Sequence, residues 1–117
     1  MHYSILLYET PTDFAARKDP ARAPAYWAPW RPYSTSLKDA GVFVGGAGLQ
    51  PPETATTLRF EDDLHIQDGP HAETAEQLGG FFIIDVPDLD AALEWAARAP
   101  RIPGRIVEVR PNLHPLT

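Results

Sequence analysis

Cysteine is absent from the chain, which removes disulfides, thiolate nucleophiles and any Cys-ligated zinc or iron–sulfur cluster. Basic residues are scarce: 10 Lys and Arg stand against 16 Asp and Glu, a formal net charge of −6. A molecule of that charge repels a phosphate backbone, and its tightest basic group, Arg98, Arg101 and Arg105, is not a run. Nucleic-acid binding is therefore not expected. Long apolar stretches are missing too, since none approaches the roughly 18 residues a membrane span needs, so no membrane partner is expected. The opening MHYSILLYE lacks a basic leader and reads as a first strand rather than a signal peptide, which makes a cytoplasmic location the expectation. Histidines number four, with no HxH or HxxxH spacing among His2, His65, His71 and His114, so neither a metal nor a cofactor is expected.

What is present fits one globular domain over residues 1–117. Residues 3–8 alternate as a strand covered on both sides. Residues 10–24 are polar and proline-bearing, a loop with at most a helical turn around 13–17. Tyr26, Trp30, Tyr33 and Leu37 then form a stripe at i, i+4, i+7 and i+11. A regular helix beginning near Pro29 keeps Pro32 in the first turn, where a missing N–H costs little, and ends near Asp39 with Gly41 as terminator. Val42–Val44 reads as a short strand stopping at Gly45-Gly46-Ala47-Gly48. Two runs, 55–60 and 64–67, flank Glu61-Asp62-Asp63 as a hairpin.

Further on, Phe81-Phe82-Ile83-Ile84-Asp85-Val86 is a buried strand. Asp88 is placed to N-cap a helix whose Leu89, Ala92, Leu93 and Ala96 share one face, and 105–110 is a last strand. Two strand–helix–strand halves with a hairpin between them predict an α+β, ferredoxin-like sandwich with a β-hairpin insertion. Because adjacent side chains of 81–84 point to opposite faces, the helix-free sheet face is apolar as well. Burying that face against a twofold copy predicts a homodimer, a dimeric α/β barrel.

Three stretches, GLQPPETATTLRF, DGPHAETAEQLGGFFIIDVPDLDAALEWAARAP and VEVRP, resemble the YCII-related domain family, specifically its DGPF type, and the resemblance runs from Met1 to about Pro111. It implies the same ferredoxin-like, dimeric α/β-barrel subunit. Some members look like small enzymes, including a dehydrochlorinase of aromatic degradation that uses a His on the first helix and an Asp after the second. The DGPF type is often encoded beside extracytoplasmic-function sigma factors, which implies a regulatory setting. In this chain the position of the helix His falls near Trp30, that of the Asp is Ala99, and the Phe of Asp-Gly-Pro-Phe is His71. The dyad mechanism does not transfer.

Two sets of site residues follow from side-chain chemistry. His71 with Asp68, and separately Asp85, are the acid–base candidates, because imidazole titrates near neutral pH and a neighbouring carboxylate fixes its tautomer. Against this stands a turn in which Asp68 bonds backbone, Gly69 supplies an unusual φ and His71 faces water. Tyr8, Trp27, Trp30 and Tyr33 are the candidate lining of a small-molecule pocket, although aromatics at helical spacing are more often core. Gly45, Gly46 and Gly48 would leave space beside them. The expected function is binding of a small organic molecule, with lyase- or isomerase-like proton transfer as an extension. The alternative is a non-enzymatic accessory or regulatory dimer of a sigma-factor system.

Overall fold

The computed structural model describes residues 1–114. The β-branched and aromatic residues that open the chain form strand β1 (His2–Glu9), whose Tyr3, Ile5, Leu7 and Glu9 all face inward. Thr10 caps the next element, its hydroxyl accepting from Asp13 N at 3.2 Å, and Pro11 fills the first turn. This gives helix α1 (Pro11–Ala16), and a second short helix, α2 (Ala23–Trp27), follows. The stretch read as a mostly irregular loop thus carries two helices.

Helix α3 (Trp30–Asp39) begins beside Pro29, keeps Pro32 in its first turn and is followed by Gly41 at φ +73°. Tyr26, expected on the same helical stripe, belongs instead to α2, because the chain breaks at Ala28-Pro29. Strand β2 (Phe43–Gly48) runs on through the glycines rather than stopping at them, since β5 lies close enough to pair with that backbone. A Cβ at Gly46 would lie 2.6 Å from the Phe81 carbonyl oxygen, which only glycine avoids. A 3₁₀ turn at Pro52–Thr54 leads to the hairpin, β3 (Thr56–Phe60) and β4 (Leu64–Asp68).

Strand β5 (Gln77–Asp85) starts four residues earlier than its apolar run, again through a glycine pair. Asp88 caps helix α4 (Leu89–Ala97) by accepting from Ala91 N at 2.9 Å. The inward face of α4 is Ala92, Ala96 and, just beyond it, Ala99, whereas Leu89 and Leu93 stay about half exposed. Small side chains let the helix sit close on the sheet, so of the face read from sequence the alanines pack and the leucines stand at its edge. Strand β6 (Ile106–Pro111) completes the sheet in the order β2-β5-β1-β6, every pair antiparallel.

That order, with α3 and α4 packed on one face against Tyr3, Ile5, Leu7 and Ile84, fits a ferredoxin-like α+β sandwich. The sheet is open, with β2 and β6 as edges, and closes no barrel among the described residues. The hairpin forms a separate two-stranded sheet. No helix of the described residues is long and apolar enough to cross a membrane.

Candidate functional site

The last inward residue of β1 is a carboxylate, Glu9, only 2 % exposed. An isolated buried charge is unfavourable by several kcal/mol, roughly, so its partners decide whether it is tolerated. Glu9 Oε2 accepts from Arg17 Nη2 at 2.9 Å, and Oε1 accepts from Arg105 Nη2 at 3.1 Å and from the Tyr26 hydroxyl at 2.5 Å. Arg17, one residue past α1, also donates to the Tyr26 oxygen at 3.0 Å, to Gly79 O at 3.1 Å and to Leu49 O. The cluster ties α1, α2, β1, β5 and the segment after β2 into one corner. Burial, then the Glu9 carboxylate, pushes the Tyr26 hydroxyl up to about 12, so it stays a neutral donor. Asp13 Oδ2 and Arg105 Nε are buried without a partner among the described residues.

Beside this corner lies a cleft of about 470 Å³. Its floor is bare because Gly46 and Gly48 of β2 stand opposite Phe82 and Gly80 of β5, on the sheet face under the start of α3. Directly opposite residues of an antiparallel pair share a face, so three of these four positions lack side chains exactly where the helices pass over. Gly79 is bare for another reason: a Cβ there would sit 3.0 Å from both Glu9 Oε2 and Arg17 Nη2. The walls are aromatic, with Trp27 from α2, Trp30 from α3, Phe43 from β2 and Phe82 from β5. Trp30 stacks near-parallel to Phe82 at 6.4 Å between centroids, and the Arg105 guanidinium lies 4.8 Å over the Trp30 ring. Trp27 is about half exposed at the mouth, held edge-on to Tyr26 with its indole N–H donating to Arg17 O at 3.3 Å.

A family model for the YCII-related domain matches residues 1–112. The chain belongs to the YCII-related domain family. A curated relative of this YCII-related chain, an uncharacterized protein of Rhizobium meliloti (strain 1021), is 46% identical over 59 residues. Those residues are 50% of this chain and 48% of the relative, so the match spans about half the length of each.

The residues singled out from sequence are distributed over three places. Trp27 and Trp30 line the cleft. Tyr33 is in the core behind them, its hydroxyl donating to Trp95 O at 2.8 Å and pushed up to about 12 by burial. Tyr8 projects from the opposite face of β1, between the inward Leu7 and Glu9, and is half-buried there. His71 and Asp68 are exposed at the turn after β4, and no hydrogen bond or ion pair joins them among the described residues. Gly69, at φ +93°, makes that corner. Asp85 is exposed at the end of β5, 3.1 Å from the N-terminal amine and 4.0 Å from His2 Nε2. Neither the 68–71 turn nor Asp85 lines the cleft. Trp30, near which the family resemblance puts a His, is part of the cleft wall, and Ala99, which stands where it puts an Asp, is buried.

Sequence reading missed Glu9, Arg17, Tyr26 as a polar group, and Arg105. The one available signal was Glu9 itself, an acid in phase with Tyr3, Ile5 and Leu7 on a strand face that must be buried.

Proposed function

We propose that this YCII-related protein binds a small, flat, largely apolar organic molecule in the cleft beneath α2 and α3. The observation that supports it is the pairing of a glycine floor with aromatic walls around about 470 Å³, a size typical of small-molecule sites. Core aromatics normally fill such space; here Trp27 and Trp30 border it. The proposal is binding rather than turnover, because the acid–base candidates His71, Asp68 and Asp85 face water elsewhere. A thermal-shift screen with bicyclic aromatics, run on the native protein and on Gly48→Leu, tests this reading. Gly48 lines the cleft and a Cβ there meets nothing within 4 Å, so a leucine at this position is expected to occupy cleft space without disturbing the backbone. Stabilising compounds are expected for the native chain and not for the variant; equal responses, or none, count against the reading.

The proposal includes a homodimer. Leu6, Tyr8, Phe81 and Ile83 occupy the sheet face away from the helices and remain only partly covered. On the hairpin, Leu58 pairs with Ile66 and Phe60 with Leu64, all at least half exposed and Phe60 85% exposed. A two-stranded hairpin is at best marginally stable alone, and apolar surfaces of this kind mark association sites.

A further inference from the structure

The cleft's charge is opposite in sign to that of the whole molecule. The chain carries a net −6, yet the charged residues lining the cleft are Glu9, Arg17 and Lys18. Glu9 is shared between Arg17 and Arg105, so one carboxylate answers two guanidiniums before Lys18 is considered. Adding the buried Asp13 of α1 still leaves cations in excess. Lys18 is exposed and pairs with no acid among the described residues, although Glu53 and Glu73 line the adjoining groove that it also borders. Glu9 and Asp13 balance Arg17 and Arg105, so the excess charge is the Lys18 ammonium, and an unpaired ammonium beside an apolar cleft draws an anion to it.

Resting on the reading that the cleft binds an apolar molecule, we infer that its ligand is an organic anion. Its flat body lies between Trp27 and Trp30 and the glycine floor, and its carboxylate or equivalent group meets the Lys18 ammonium. Arg17 offers little of its own, since four acceptors already occupy it: Glu9, Tyr26, Leu49 O and Gly79 O. Its role is to hold the wall and the field, and Lys18 is the group that makes the contact.

Calorimetric titration with three probes of one shape, 1-naphthoate, 1-naphthamide and 1-naphthylmethylammonium, separates the two layers of this inference. The carboxylate is expected to bind about tenfold more tightly than the amide, with the ammonium weakest, and to lose that advantage as salt is raised. The advantage should collapse in Lys18→Gln and persist in Lys18→Arg. If the amide binds as well as the carboxylate, or Lys18→Gln leaves the ratio unchanged, the anion inference is overturned while binding in the cleft stands. If none of the three binds, both are overturned.

Discussion

Glu9 shows how one residue can organise a corner of a small protein. Removing its charge leaves two guanidiniums buried around a neutral amide, and breaking a buried pair of this kind costs about 3–5 kcal/mol. Glu9→Gln should therefore lower the stability of the chain by that order in chemical denaturation, and an unchanged midpoint would contradict the cluster's role. Tyr26 and Tyr33 make a prediction in pH. Both hydroxyls ionise near 12 in the folded protein against an ordinary value of 10. The folded state holds these protons longer than the unfolded one, so their contribution is intact below pH 10 and is lost as pH rises toward 12. Tyrosinate absorbance should show late ionisation, and Tyr26→Phe should remove one late step. Little of this was legible beforehand. The strand face of Glu9 could be read from its alternation with Leu7, but its partners Arg17, Tyr26 and Arg105 lie 8, 17 and 96 residues away and only the fold brings them together.

At the scale of elements, the strong periodic signals carried through. The bounds of α3 followed from two prolines and a glycine, and the cap at Asp88 is short-range chemistry. Gly41→Ala would place an alanine at φ +73° with nothing within 4 Å, so strain alone acts and about 1 kcal/mol of stability should be lost in a denaturant titration. Glycine was the misleading residue. Gly45–Gly48 read as a strand end and the next buried strand as starting at Phe81, yet Gly45–Gly48 and Gly79-Gly80 are strand, because a bare backbone lets β2 and β5 approach where side chains would collide. The same bareness leaves room for the cleft, so the error in the element and the blindness to the site have one cause. The stripe read for α4 held at Ala92 and Ala96 but not at Leu89 and Leu93, since periodicity gives a stripe and packing distance selects its small residues.

For the whole molecule, the order of the six strands and of α3 and α4 was legible because the two strand–helix–strand halves constrain one another, whereas α1 and α2 were read as loop. Shape was not legible. The radius of gyration, 16.0 Å, exceeds the roughly 13 Å of a compact domain this size, and the chain extends 47 × 45 Å while only 19 Å thick. The exposed apolar residues of the hairpin arm are the surface that the proposed homodimer would bury. If the proposed homodimer uses the arm, Phe60→Lys with Ile66→Lys should halve the mass measured by light scattering, and a native protein already monomeric at micromolar concentration would remove the dimer from the account. The most direct test of the central claim is nitrogen-resolved NMR of the native protein and Gly48→Leu titrated with planar aromatic compounds. The account predicts shifts at Gly46, Gly48, Gly79, Gly80 and the indole N–H groups of Trp27 and Trp30 that are absent from the variant. Silence at those positions, or shifts unaltered by Gly48→Leu, would contradict it.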